Sequence, residues 1–196
     1  MATQSEVKYN RLMEKAEVLF VTLGYKAVSM DQIAEAAGIG KMTIYRHFSS
    51  KEELFIEVLW RLMDRHYFLI NAELKNITGT LEKINYLLNY SIEGSKAYAF
   101  AFYKDTMAIP HIAQKVLEEK CKRNKLIFQD IIKEGMEMGE IRKGNIDFMA
   151  EMLILVIESY SNKKFNKINN REELEIASIE LFDFLKYGLL GGVGEK

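Results

Sequence analysis

Residues 29–54 read SMDQIAEAAGIGKMTIYRHFSSKEEL, and the architecture is decided there. Ser29 is a natural N-cap, because its hydroxyl can accept an orphan amide of a first helical turn. Met30, Ile33, Ala34 and Ala37 follow at the three- and four-residue spacing of one helix face. Gly38 ends that helix after barely two turns, Ile39 turns its side chain inward, and Gly40 opens a third segment. In that segment Ile44 and Phe48, four apart, supply the buried face. Lys41, Met42, Thr43, Tyr45, Arg46 and His47 are left for the outside. Ser50 and Glu53 then have the spacing of a capping box for a fourth helix.

Upstream, Leu12, Ala16, Leu19, Phe20 and Leu23 make the apolar face of a first helix, which Gly24 closes in a left-handed cap. A short helix anchored by two or three apolar residues, coated with hydrogen-bonding groups and braced across a tight turn, has the layout of a helix–turn–helix. The major groove admits one such helix and displays donors and acceptors on every base edge. The crowded polar groups of the third helix are therefore expected to touch bases and phosphates.

Phe20, Gly24 and Tyr25 in the order F-x-x-x-G-Y, the run SMDQIAEAAGIGKMTIYRHF, and SKEEL closely resemble the DNA-binding domain of the TetR family of transcriptional regulators. The likeness covers roughly residues 8–55. It implies that Lys41 and Met42 reach base edges, Lys41 toward guanine O6 and N7 and Met42 toward a thymine methyl. It implies phosphate contacts for Thr43, Tyr45 and His47, with Tyr45 also near a base. Lys51, at the start of the fourth helix, is expected to add its charge to the helix dipole at a phosphate. Arg46 has two possible directions, toward DNA or back onto the protein. Family recognition helices often begin with serine, so Gly40 removes one side-chain contact.

The rest of the chain is consistent with one helical protein. Of 196 residues 48% are hydrophobic and only one is proline, which with abundant Leu, Ile, Lys and Glu points to an all-α fold. Net charge is −1, but residues 1–51 carry seven Lys/Arg against five Asp/Glu and residues 52–196 carry twenty against twenty-three. This mild asymmetry is weak on its own, and the motif carries the case. Cys121 has no partner for a disulfide, the N-terminal ten residues lack the apolar core of a signal peptide, and the run MLILVI at 152–157 is too short to span a bilayer. A cytoplasmic protein without a membrane partner is expected.

Further helices are expected at about 51–75, 80–93, 96–109, 111–138, 147–161 and 171–189, the last with Asn170 and Glu173 as a capping box. The expected organisation is a helix–turn–helix DNA-binding domain over 1–51 and a helical ligand-binding and dimerisation domain over 52–196. The helix around FMAEMLILVIESY is apolar on nearly every side, as is the one after it, and such helices need neighbours all round. Phe148, Met152, Leu155, Ile179 and Phe182 are the expected dimer contacts. A two-fold dimer would read a pseudo-palindromic operator in double-stranded DNA.

The middle helices carry Tyr67, Tyr86, Tyr90, Phe102, Tyr103, Met107, Phe128 and Met136; the resemblance implies a ligand pocket among such helices, and this aromatic and methionine lining leads us to expect a small hydrophobic ligand. An aromatic stripe at helical spacing also serves as plain core. His47, His66 and His111 are scattered and make no metal set, Cys121 reads as an incidental thiol on a charged helix, and no nucleophile elbow or paired carboxylates stand out. No enzyme activity and no cofactor are expected. The resemblance implies a repressor released by a ligand. The alternative is a DNA-bound protein-interaction module without a small-molecule effector.

Overall fold

The structure, a computed structural model, describes residues 3–94 and 100–165, with isolated positions at 176, 179–181, 183 and 184. The all-α expectation holds: no strand occurs among the described residues. The helices are α1 Gln4–Leu23, α2 Met30–Ala37, α3 Lys41–Tyr45, α4 Lys51–Leu74, α5 Thr80–Gly94, α6 Phe100–Met107, α7 Pro110–Met138 and α8 Ile146–Phe165. α4, α5 and α7 fall within a residue of their expected bounds, while α8 continues past residue 161. The expected start of α6 at residue 96 lies outside the described residues. So does nearly all of the expected terminal helix, with its Asn170 and Glu173 cap.

Two units divide the chain, Met1–Phe68 with Gly94–Val116, and Leu69–Glu93 with Leu117–Lys196. In the first, Leu12, Met13, Ala16 and Phe20 of α1 pack with Ile33, Ile44, Leu54, Phe55, Phe102 and Ile112 into one core. Phe55 stands at its centre. Its ring meets Phe20 edge-on at 5.0 Å, Tyr25 at 4.7 Å and Phe102 edge-on at 5.8 Å, the offset geometries that the ring quadrupole favours. Leu23 departs from its expected place on the apolar face. It is the last residue of α1, where the chain turns away, and is 44% exposed. Met13 fills the interior instead.

Two glycines shape the turns of this unit. Gly24 caps α1 with φ +86° and ψ 164°, a positive φ outside the left-handed helical region expected for it. Space explains the requirement as well, since a Cβ there would lie 2.9 Å from Asp105 Oδ2 and 3.1 Å from Ala101 Cβ. Gly38 does adopt the left-handed conformation, φ 59° and ψ 41°, and its N–H donates to the carbonyls of Ala34 and Glu35. Arg11 Nη2 donates to Gly38 O at 2.9 Å, and a Cβ at Gly38 would come within 2.7 Å of that nitrogen. Gly38→Ala is therefore expected to cost about 1–2 kcal/mol from the left-handed backbone alone. Urea unfolding should show a lowered midpoint with an unchanged slope; an unaltered midpoint would mean that the turn relaxes freely.

In the second unit the start of α5 is fastened to the turn after α7. The Glu140 carboxylate accepts both the backbone N–H and the hydroxyl of Thr80, each at 2.8 Å. One turn on, the buried Lys83 ammonium pairs with Glu134. Ile84, Phe128, Ile131, Ile132, Ile141 and Leu153 are buried in this unit. The hydrogen bonds from Thr80, first its amide and then its hydroxyl, hold the Glu140 carboxyl below its ordinary pKa. A depressed carboxyl stabilises the fold above its unfolded pKa of about 4.3, and that contribution is lost as pH falls through the folded value. Thermal unfolding should thus show Glu140→Gln less stable than the parent at pH 7, the gap closing in acid. A gap that persists at pH 3 would contradict the assignment.

Candidate nucleic-acid interface

The interface is built from the two helix starts that flank Gly38. Ser29 Oγ accepts the Gln32 N–H at 3.2 Å while Gln32 Oε1 accepts the Ser29 N–H at 2.8 Å, a reciprocal capping box that fixes where α2 begins. Met30, Ile33, Ala34 and Ala37 are all buried, as their spacing requires. α3 is shorter than its sequence suggests: it spans Lys41–Tyr45, and Arg46 is already its C-cap. Ile44 is fully buried and Phe48 nearly so, and these two residues hold α3 to the core. Gly40 caps α3 without a side-chain bond.

The outer surface follows directly. Met42 is 74% exposed, and Lys41, Tyr45, Arg46 and His47 are exposed around it, with Thr43 half-buried. Lys41 Nζ lies 2.9 Å from a carboxylate oxygen of Asp31, in the first turn of α2. That hydrogen bond raises the lysine's pKa, against a smaller opposing effect of burial. His47 packs against the Tyr9 ring at 5.1 Å, and the Arg61 guanidinium lies 5.2 Å over the same ring. Ser5, Glu6, Tyr9, Asn10 and His47 line a cleft of about 760 Å³ beside α3. Tyr9, on α1, and Asp31, in the first turn of α2, also belong to this surface, although no spacing in the sequence marks either as a DNA contact.

Lys51 has a different setting from the other cations. Its ammonium donates to the backbone carbonyls of Tyr25 and Val28, both at 2.8 Å, and sits 4.2 Å over the Tyr25 ring. Burial lowers its pKa, with Asp105 opposing. The charge expected at a phosphate is here directed onto the turn between α1 and α2. At the same helix start Ser50 Oγ accepts the Glu53 N–H at 3.1 Å. The Glu53 carboxylate returns to the N–H and hydroxyl of Ser49, one residue earlier than a simple capping box requires. From α6, the buried Asp105 accepts the Lys26 N–H at 2.8 Å on the other side of that turn.

The residues expected around a ligand are distributed over both units. Tyr67, Phe102 and Met107 fall in the first unit, where Tyr67 and Phe102 are buried and Met107 is half-buried. Tyr103 is in the first unit's α6, but its side chain is outside the described set. Tyr86, Tyr90, Phe128 and Met136 fall in the second. Tyr86 and Tyr90 are ring neighbours at 5.6 Å, and burial, helped by Tyr90 and Glu73, pushes the Tyr86 hydroxyl pKa up. A separate cleft of about 700 Å³ in the second unit is lined by Asn71, Leu74, Lys83, Ile127, Glu134 and Met138 among others. It contains none of the eight expected residues. The expected dimer contacts Phe148, Met152, Leu155 and Ile179 are exposed, while Phe182 is outside the described residues.

The histidines engage separate partners: His47 meets Tyr9, His66 meets Tyr67 and His111 Nε2 lies 2.8 Å from Glu52. No group of three metal-ligating side chains occurs among the described residues, and none of their helices is long and apolar enough to cross a membrane.

A buried brace and an exposed second helix define a helix–turn–helix protein, and the comparisons with known proteins place it. The family described as "Bacterial regulatory proteins, tetR family" matches residues 12–58. An HTH-type transcriptional regulator of Staphylococcus aureus (strain MRSA252) is 31% identical over 183 residues, covering 85% of this chain and 95% of its own. The transcriptional activator FasR of Mycolicibacterium smegmatis is 32% identical over 57% of this chain, which spans about half, 53%, of that protein. The transcriptional repressor KstR2 of the same organism is 28% identical over 71% of this chain and 70% of its own. A transcriptional regulator from Cytophaga hutchinsonii shares the fold at a TM-score of 0.80 with 17% identity, covering 93% and 98% of the two chains. FadR from Bacillus subtilis, solved with stearoyl-CoA, does so at 0.65 with 20% identity over 94% and 99%. The chain belongs to the TetR family of transcriptional regulators, DNA-binding proteins without enzymatic activity.

Proposed function

We propose that this protein is a cytoplasmic, homodimeric repressor that reads a pseudo-palindromic operator with α3 and leaves it when a small hydrophobic ligand binds. The observation that carries the reading is the surface of α3 and the turn that follows it, with Ile44 buried, Lys41, Met42 and Tyr45 exposed on the helix and Arg46 and His47 exposed just after it. In this reading residues 1–51 meet DNA, and residues 52–196 hold the ligand and the partner subunit. Phe148, Met152 and Leu155 lie along one stripe of α8, opposite the buried Met149, Ala150 and Leu153. A second copy is the natural cover for that stripe. In such a dimer the two recognition helices would stand about 34–36 Å apart, one turn of DNA.

A likeness to fatty-acid regulation in Bacillus subtilis supports an effector with an apolar chain. The fatty acid metabolism regulator protein of Bacillus subtilis is 25% identical over 77% of this chain, and the FadR structure holds stearoyl-CoA. Tyr86, Tyr90, Phe128 and Met136 are the second-unit residues we place nearest such a ligand. Binding can release DNA only if the ligand prefers the DNA-incompetent state, by an amount equal to the coupling free energy.

The test is selection of bound duplexes from a random library, with Tyr45→Ala alongside, followed by titration of the selected duplex with stearoyl-CoA. Enrichment of an inverted repeat, its loss in the variant and release by the acyl-CoA are the expected results. Enrichment without release by any acyl chain would replace the ligand-responsive reading with the interaction-module one.

A further inference from the structure

Asp31 lies in the first turn of α2 and Lys41 opens α3, so the two side chains project from the two helix starts of the helix–turn–helix. The Lys41 ammonium lies 2.9 and 3.0 Å from the two carboxylate oxygens of Asp31, and both side chains are exposed to solvent. An exposed ion pair of this kind adds little to stability. What it does provide is a donor and an acceptor held side by side, about one hydrogen-bond length apart, on the face that carries Met42 and Tyr45.

We infer that Asp31 and Lys41 act together to read a single G·C base pair in each half-site; this rests on the DNA-reading role proposed above for α3. In the major groove guanine offers N7 and O6 as acceptors, and cytosine offers its N4 amino donor next to O6. O6 and N4 are joined by the Watson–Crick hydrogen bond, so they too stand about 3 Å apart. The ammonium has three donors and the carboxylate about four acceptor sites. Lys41 can therefore serve N7 and O6 while Asp31 accepts from N4, with their mutual bond intact.

An A·T pair fits less well. Its adenine N6 donor and thymine O4 acceptor are also adjacent, but the same pose would set adenine N7 against the carboxylate and the thymine methyl against the ammonium. Phosphate repulsion would otherwise keep a carboxylate out of the groove. The paired lysine cancels that charge, which makes Asp31 usable as a reader.

The experiment is the duplex selection carried out with the full chain as parent, Asp31→Ala and Lys41→Ala. Circular dichroism confirms that helical content is unchanged. The parent is expected to enrich a repeat with one G·C pair of fixed orientation in each half-site. Asp31→Ala should lose discrimination at that pair by about 5- to 150-fold, leave the other positions enriched, and blur the same pair that Lys41→Ala blurs. Replacing that guanine by 7-deazaguanine should weaken the parent but not Lys41→Ala. If Asp31→Ala keeps the motif and binds every duplex more tightly, Asp31 is only a counter-charge and the inference is overturned. It is overturned too if the two variants blur different positions. A parent that enriches nothing defeats the DNA-reading role itself, a result distinct from either.

Discussion

Phe55→Ala is expected to lower the stability of the first unit by about 3–5 kcal/mol, the usual cost of removing a buried phenylalanine from a core. Phe55 is completely buried and joins three parts of the chain, with Phe20 from α1, Tyr25 from the following turn and Phe102 from α6 around its ring. Truncation removes the transfer free energy of the ring and leaves a cavity whose walls are rigid aromatic rings, poorly able to collapse. Aromatic pairs in edge-on or offset geometry contribute about 0.5–1.5 kcal/mol each beyond the area they bury, which places Phe55 toward the upper end of that range. Against a typical domain stability of about 5–15 kcal/mol, the loss is large. Urea unfolding followed by circular dichroism measures it. A change below about 1 kcal/mol, the size of an ordinary surface or peripheral substitution, would show that the ring is not the centre of that core.

Lys51→Met should also be severe, for a reason unrelated to nucleic acid. The ammonium bridges the Tyr25 and Val28 carbonyls and lies over the Tyr25 ring. Methionine keeps much of the stem but has no donor, so two part-buried acceptors are left without their partner. A cost of about 1–3 kcal/mol is expected from the unsatisfied acceptors. If Lys51 neutralised a phosphate instead, the variant would flatten the dependence of log K on log salt by about one unit. The expected outcome is an unchanged salt slope, a lower unfolding midpoint and a uniform loss of operator affinity. A slope reduced by one with stability intact would return Lys51 to the phosphate backbone.

These two residues show how far local chemistry carries. Ser29, Gly38, Ile44 and Phe48 are governed by caps, turn geometry and helical spacing within a few residues, and each is found where its type and position require. The ends of α4, α5 and α7 are legible for the same reason. Nothing in the sequence hints that Lys51 meets the Tyr25 and Val28 carbonyls, because these acceptors are more than twenty residues away. Asp105 has no signature at all, its partner Lys26 being 79 positions distant. Leu23 leaves the apolar face because periodicity says which residues share a face, but not where that face stops having a neighbour. Phe102 belongs to a stripe that serves equally as core or cavity wall, and only its packing on Phe55 places it in the core.

The hydrogen bond between Asp105 and the turn after α1 also bears on how this sequence can drift. The carboxylate takes its proton donor from the backbone amide of Lys26, a group that every amino acid except proline supplies. The Lys26 side chain adds only a 3.7 Å ion pair from a largely exposed ammonium to the same carboxylate, a contact worth little, so position 26 can vary in side chain at small cost. Position 24 is not free, since any Cβ would press on that same carboxylate. Nor is position 105, where the acceptor must have the reach of an aspartate. A neutral walk through sequence space would vary the residue at 26 far more than the other two, so this hydrogen bond would show up among descendants as a matched glycine and aspartate, with at most a weak preference for a cation in the partner that donates to it.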